Sequence, residues 1–580
     1  MDRNTLLRWV LIAGVIIIGW TLYQKWFGSG ASGAKGQNLE ETYASAPDFA
    51  PDAMDPKVDR APDAPPFAEP QTCSIKGQRF DAELSTRGAA LTHFWIRDGQ
   101  YAGEGGFDMS TTPDHERWRS LRTLFRAKDA DDQLKYDRFV WKLEPGADGK
   151  TCTFTWADDL VQLTKVVSAG ARDFELDVKT TIKNVSSAPK KHRFEIGMFA
   201  FRKNSEVKGK LGRVSPFTAD LACGGKDVAH KTRDDFKEGW FDGGKVDRYA
   251  AVSNYYFAQA LVPQDGPADC RLLAEDWYAA NQARDDDDAA AVYHATLTYE
   301  ARTLEPGAST TYQQTAYLGP KERNVLKTAA GKDLSDLINL GFFSPVAKVL
   351  TSLLVFIKVN VTHNWGFAII VMTLTLRALL FPLTWKSIKA SMHMRKLKPE
   401  IDSINAKFGD DMQAKQLAMM ELWKKHGYGP LGPAGAGCLP QLVQMPVWFA
   451  MYTTLQTAVE MYHTKFLWFT DLSSPDRFFI LPILLVALMI LQQKMIPQQP
   501  GMDPMQQKMM QWVLPGVFGV MMLFLPAALG VYMMTNSLLG IAQQVVTNRI
   551  SPPPAPKGEI VVKQAGDKGA PALGKGKARV

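Results

Sequence analysis

Residues Trp365–Trp385 read WGFAIIVMTLTLRALLFPLTW, and the rest of the chain is organised around them. The stretch is apolar, and at a rise of about 1.5 Å per residue it is long enough to cross a hydrocarbon core about 30 Å thick. It carries a single charge, Arg377. The same rise places Arg377 about 18 Å from Trp365 and about 12 Å from Trp385, well inside and nearer the Trp385 end. An arginine there costs about 3 kcal/mol on insertion scales, so it normally faces a wet cavity or a partner. The middles of the other apolar segments hold no Asp or Glu; Glu460, Asp471, Asp476 and Asp503 fall at ends or in loops. The expectation is a counter-charge supplied from outside the chain.

Working outward toward the C-terminus, residues 386–428 are charged, with nine basic against five acidic side chains up to His426. Apolar residues such as Ile388, Met392, Leu397, Ile401, Ile404 and Phe408, then Leu417, Met420 and Trp423, recur at helical spacing. Phe408-Gly409-Asp410-Asp411 divides them, so the segment reads as a helical hairpin, cytoplasmic by the positive-inside rule. Residues 438–547 then hold further apolar spans near 438–461, 478–496, 512–526 and 529–547. The tail 548–580 is basic and agrees with a cytoplasmic end.

Toward the N-terminus, residues 326–362 contain PVAKVLTSLLVFIKV, whose apolar core between Lys348 and Lys358 is too short to span and reads as an interfacial amphipathic helix. Residues 71–325 read as β: Phe80, Ala82 and Leu84 alternate, as do Phe174, Leu176, Val178, Thr180 and Ile182, and turns such as Glu305-Pro306-Gly307 separate the runs. A large antiparallel sandwich is expected. Residues 29–70, rich in Ala, Pro, Asp, Ser and Gly, form a disordered linker. Residues 1–28 pair Arg3 and Arg8 with an apolar run closing on Trp20, Tyr23 and Trp26. A signal peptide shares that layout, but the aromatic belt favours an uncleaved transmembrane anchor, and either one exports the linker and the β region. The fold class is therefore membrane α-helical, with six transmembrane helices, plus an all-β external domain.

Composition adds limits. The net charge of +7 is modest, and no basic patch, zinc-finger spacing or phosphate loop of the GxxxxGK[ST] type occurs. His93, His115, His192, His230 and His294 have no ligand spacing, and Asp285–Asp288 reads as a solvated loop rather than a calcium site. No metal or cofactor is expected and no catalytic role is assigned. Cys73, Cys152, Cys223 and Cys270 lie in the external half; in an oxidising space four cysteines allow three pairings, which sequence leaves open.

Inside the spans, Thr373 and Arg377 lie one turn apart on one helix face, and Gln441, Gln444, Asn536, Gln543 and Gln544 are polar. Singly each reads as helix–helix glue. Together with a buried arginine they point to a water-filled groove in the inner leaflet. Methionines, among them Met445, Met451 and Met521, are dense here, and flexible thioethers accommodate varied apolar partners.

WGFAIIVMTLTLRALLFPLT, LGPAGAGCLPQLVQMPVWFAMY, FFILPILL, DPMQQKMM and VYMMTNSLLGIAQQ resemble, in order, the core motifs of the YidC membrane-protein insertase family over roughly residues 340–550. STRGA at Ser85–Ala89, RYAAVSNYYFA at Arg248–Ala258 and LEPGASTTYQQTAYLGPKE at Leu304–Glu322 resemble more weakly the periplasmic domain of its Gram-negative form. The family's usual Phe-Pro-small-Gly-Leu reads Leu525-Pro526-Ala527-Ala528-Leu529 here. The resemblance implies a five-helix insertase core, a periplasmic β-supersandwich without retained catalysis, and a bacterial inner-membrane protein with both termini cytoplasmic. It implies a groove at Arg377 with Thr373, Gln444, Pro446, Tyr532 and Asn536, and a substrate slide to which Met445, Met451 and Met521 are assigned. The partners it implies are nascent membrane proteins, the Sec translocon, the ribosome and signal recognition particle components. No nucleic-acid recognition beyond ribosome contact is implied. The rival reading is a secondary transporter of an anionic solute held by Arg377; inverted repeats, which such proteins usually show, are not visible in the sequence.

Overall fold

The computed structural model describes residues 69–102, 106–112, 118–126, 139–208, 215–236, 239–277, 283–408, 411–426, 432–495, 505 and 508–550. The expected anchor, the linker up to residue 68 and the tail from residue 551 lie outside the described residues, as does His115.

The β domain folds as expected from its alternation. Phe80, Ala82 and Leu84 point inward from the strand Phe80–Ser85. Phe174 is buried just before the strand Glu175–Asn184, from which Leu176, Val178, Thr180 and Ile182 also point inward. Three antiparallel sheets result. The four-stranded sheet runs Thr72–Lys76, Phe80–Ser85, Ala90–Ile96 and Phe107–Asp108. In the six-stranded sheet the path is Phe241–Val246, Ala268–Trp277, Ala290–Thr298, Lys190–Lys203 and Arg302–Leu304, with Thr123–Arg126 also on Lys190–Lys203. The nine-stranded sheet is ordered Val228–Lys231, Asp220–Gly224, Tyr249–Ser253, Phe257–Pro263, Ser309–Pro320, Glu175–Asn184, Val161–Ala169, Thr151–Ala157 and Lys142–Pro145.

The cysteine question is decided by tertiary contact. Cys73 pairs with Cys152, and Cys223 with Cys270, at Cα separations of 6.2 and 5.9 Å. The first bridge joins the four-stranded to the nine-stranded sheet, and the second joins the nine-stranded to the six-stranded sheet. Gly243 makes room for the second: a Cβ there would meet Cys223 Sγ at 2.5 Å. Asp285–Asp288 is an exposed turn, with Asp287 paired to Lys208 at 2.7 Å.

The helical part begins with α1 (Ser344–Ile357), prolonged by a π turn over Lys358–Thr362. Ala347, Leu350, Thr351, Leu354 and Ile357 form its buried stripe, the spacing of one helix face. Next come α2 (Trp365–Lys407), α3 (Met412–Lys425), α4 (Gly432–Gln456), α5 (Ile480–Met495), α6 (Leu514–Met522) and α7 (Ala527–Ile550). Asn364 starts α2 by accepting from Phe367 N at 3.2 Å, and Asp411 caps α3 through Gln413 N and Ala414 N.

Two observations bear on the expected spans. α2 runs on through residue 385 as one helix, with Pro382 and Pro399 inside it. Among the described residues, Ser344–Thr362 and Trp365–Pro382 are the helices long and apolar enough to cross a membrane, with Ile480–Met495 and Met509–Met522 apolar but shorter. Six crossings are therefore not established by length and composition. Ser344–Thr362 reaches 19 residues because the π turn carries the helix past Lys358.

By contact density the chain forms two units: the described residues up to Arg377 with Val443–Met489 and Leu514–Ser537, and a second holding Ala378–Leu442, Ile490–Val513 and the chain from Leu538. In the second, Leu397, Ile401 and Leu422 form a small core between the arms of the charged hairpin. Arg377, Gln444, Tyr532 and Asn536 all belong to the first.

Candidate functional site

Arg377 sits on α2 three turns in from Trp365, and a half-buried guanidinium in such surroundings needs acceptors. Asn536 on α7 supplies two. Arg377 Nε donates to Asn536 Oδ1 at 2.8 Å, and Nη2 donates to the Asn536 backbone carbonyl at 3.1 Å. Arg377 thus finds hydrogen-bond acceptors within the chain. Both acceptors are neutral, so these bonds orient the guanidinium without cancelling its charge.

Tyr532, one turn before Asn536, is buried and its side chain hydrogen-bonds that of Gln444 on α4. Tyr532 also lies close enough to feel the charge of Arg377. Three helices therefore converge on one polar cluster: Arg377 from α2, Gln444 from α4, and Tyr532 and Asn536 from α7. Beside the cluster, the buried Leu481 side chain of α5 packs onto Gly530 of α7, where a Cβ would meet its Cδ2 at 1.9 Å.

Other residues expected at the site fall differently. Thr373 is buried and its hydroxyl donates to Ile369 O at 2.7 Å, so it is satisfied within its own helix. Thr375 and Thr535 do the same toward Val371 O and Val531 O. Pro446 is half-buried on α4. Of the three methionines, Met445 is exposed, Met521 is half-buried and Met451 is fully buried.

The loop after α4 carries a second arrangement that sequence reasoning missed. Arg323, just past the last strand of the sandwich, donates through Nη1 to Glu460 Oε2 at 2.9 Å, and both side chains are largely buried. Gln100 Nε2 donates to the carbonyls of Glu460 and Tyr462 at 3.0 and 3.3 Å. The Tyr462 ring packs against Tyr101, Tyr256 and Phe257. Glu322 next door joins Asp98 and Asp173 around Arg79, and those carboxylates hold the guanidinium pKa above its ordinary value despite its burial. The loop acids are likewise occupied: Asp471 accepts from His463 N and Ser473 N, and Asp476 from Phe478 N and Leu481 N at the start of α5. Among the described residues no group of three or more His, Cys, Asp or Glu side chains could hold a metal ion.

Comparison with known proteins covers both halves. The family described as 60Kd inner membrane protein matches residues 356–553, and the YidC periplasmic domain matches residues 72–353. A membrane protein insertase YidC of Anaeromyxobacter dehalogenans is 39% identical over 314 residues, 53% of this chain and 53% of that one. The chain thus spans about half the length of the first curated relatives it matches. The YidC of Shewanella loihica is 32% identical over 78% of this chain and 77% of its own, and that of Shewanella frigidimarina 30% identical over 93% and 97%. A crystal structure of an active YidC insertase with its first transmembrane domain resolved aligns over 83% of this chain and 93% of its own, at 17% identity and a TM-score of 0.34.

Proposed function

The chain belongs to the YidC family of membrane protein insertases, and on that footing we propose that it inserts and helps fold inner-membrane proteins, alone or with the Sec translocon. The observation that carries the reading is the cluster of Arg377, Asn536, Tyr532 and Gln444 on helices with exposed apolar side chains, Phe367 and Leu374 on α2 and Leu538 on α7. Exposed apolar side chains of that size belong in lipid, while the cluster needs water or a polar guest. A groove open to the inner leaflet satisfies both.

A client's short hydrophilic segment enters this groove from the cytoplasm and is held by hydration and by the oriented guanidinium. Its apolar helix slides along the outer faces of α4 and α6, with Met445 and Met521 as adaptable contacts and Met451 as packing behind them. Partitioning into lipid drives the step, and the groove lowers the barrier by shortening the dry path.

The topology that goes with this reading has six crossings, both termini cytoplasmic and α1 lying in the outer interface, its apolar stripe toward the protein. Accessibility labelling of single cysteines at Lys348 and Asn360 tests the last point: labelling from opposite sides of the bilayer would make α1 a crossing helix. The hairpin 386–428 receives clients from the ribosome and signal recognition particle components, a role motivated by its basic excess. Unchanged insertion after deletion of residues 386–426 would remove that role.

Reconstitution into liposomes tests the central claim, comparing wild type, Arg377→Ala and Arg377→Lys on a small single-span client with an acidic leader and the same client neutralised. Loss in Arg377→Ala, restored by Lys or by the neutral leader, is expected. Equal insertion by all variants refutes the electrostatic step.

A further inference from the structure

The C-terminal end of α5 carries a lysine that its own helix does not use. Lys494 lies in the last turn of Ile480–Met495, where a lysine ordinarily turns back onto the closing carbonyls. Here α7 supplies those donors: Gln544 Nε2 donates to Met495 O at 3.4 Å, and Asn548 Nδ2 to the same oxygen at 3.3 Å. Lys494 instead stands over the ring of Trp512, its Nζ 5.5 Å from the centroid. Trp512 belongs to the turn Met509–Val513, which leads into α6.

Both groups keep donors to spare. Among the described residues Lys494 makes no ion pair or hydrogen bond, and the Trp512 indole N–H donates to none of them. The neighbouring sequence offers little negative charge. From Ile480 to Ile550 the basic residues are Lys494, Lys508 and Arg549, and the one acidic residue is Asp503, which lies outside the described residues. Lys508, one turn before Trp512, adds to the positive potential there. The side chains flanking the pair are apolar and open: Leu491, one turn back from Lys494, is exposed, as are Met510 and Val513 beside Trp512.

A free ammonium and a free indole N–H at the end of an apolar helix, with aliphatic side chains beside them, match a molecule anionic at one end and hydrocarbon at the other. A phosphate ion in water would gain nothing from Leu491 or Val513. A zwitterionic lipid carries its own cation and would gain less from Lys494. We propose that Lys494 and Trp512 hold the headgroup of an anionic phospholipid, its phosphate oxygens taking the two donors and its acyl chains lying against Leu491, Met510 and Val513. One lysine at a membrane surface supplies about a fivefold preference for an anionic over a neutral lipid.

A fluorophore on Leu491→Cys, in a Cys438→Ala background, reports which lipid occupies the site. The full chain is reconstituted in phosphatidylcholine vesicles with a minor share of phosphatidylglycerol, and bromine is placed on the chains of the phosphatidylglycerol or of an equal amount of the phosphatidylcholine. Quenching by the brominated phosphatidylglycerol should exceed that by the brominated phosphatidylcholine by that factor, and the two should approach parity in Lys494→Gln. Lys494 is exposed, so that substitution leaves the fold intact. The same label at Val520, an exposed residue of α6, should meet both lipids equally. Equal quenching at residue 491, an unchanged ratio in Lys494→Gln, or the same preference at residue 520 overturns the proposal. The readout is lipid occupancy, so it holds or fails independently of client insertion.

Discussion

Arg377 Nε lies 2.8 Å from Asn536 Oδ1, and Nη2 lies 3.1 Å from the carbonyl of the same residue. One residue of α7 thus fixes both the position and the plane of the guanidinium on α2. Replacing the amide by a carboxylate separates geometry from charge. Asn536→Asp keeps an acceptor in place and adds a counter-charge, so the fold is retained while the client's acidic leader loses its attractant. Insertion of the acidic-leader client in proteoliposomes should fall about tenfold, the equivalent of about 1.4 kcal/mol, and that of the neutral-leader client should not change. An unchanged acidic-leader client would show that the charge of Arg377 does not act on clients.

The Arg323–Glu460 pair joins the end of the sandwich to the loop after α4. Glu460→Gln leaves a largely buried guanidinium without its carboxylate, a loss of about 2–3 kcal/mol. Hydrogen exchange at residues 457–463 should accelerate, and the exchanged pair Arg323→Glu with Glu460→Arg should restore part of the protection. Exchange rates identical to wild type in Glu460→Gln would mean that the aromatic packing of Tyr462 holds the loop unaided.

Both disulfides close long loops, with separations of 79 and 47 residues. On the loop-entropy account each stabilises by about 4 kcal/mol, and for a domain of this size that corresponds to a midpoint shift of roughly 10 °C per bridge. Thermal unfolding with and without reductant, and of the Cys73→Ala/Cys152→Ala protein, should show these drops. A reduced protein melting with the oxidised one would place the sheets' cohesion entirely in their apolar core.

Lys165 is fully buried in the sandwich, its Nζ donating to Leu121 O and to Thr123 Oγ1, the latter at 3.0 Å. Burial pulls its pKa down to about 7, against about 10.4 in an unfolded chain. Between those values the unfolded chain binds the extra proton, so stability rises with pH across that window. Lys321, also buried and lowered to about 8, acts in the same sense. His192, hydrogen-bonded to the Tyr312 hydroxyl at 3.0 Å and lowered to about 4 by burial, works at the acid end: the unfolded chain protonates it first, so its contribution is lost as pH falls from about 6.5 to about 4. The melting temperature of the wild-type sandwich should therefore climb from pH 7 to pH 10. Lys165→Met should melt higher at pH 7 and climb less. A melting curve in Lys165→Met with the wild-type slope would mean that Lys165 is not buried as a neutral amine.

Much of this protein is local in origin and was legible in the sequence. Two-residue alternation marked Phe80–Leu84 and Phe174–Ile182 because a sheet face is buried or exposed one residue at a time. The Phe408–Asp411 break was legible because Asp411 is a helix cap. The one charge in Trp365–Trp385 stood out because an ion in hydrocarbon is costly wherever the helix goes. Tertiary structure alone decided which cysteines pair, that Asn536, 159 residues away, receives Arg377, and that Glu460, 137 residues away, receives Arg323. Periodicity records whether a side chain is buried; which partner it meets there is set by the order in which strands and helices pack, and that order leaves no periodic trace.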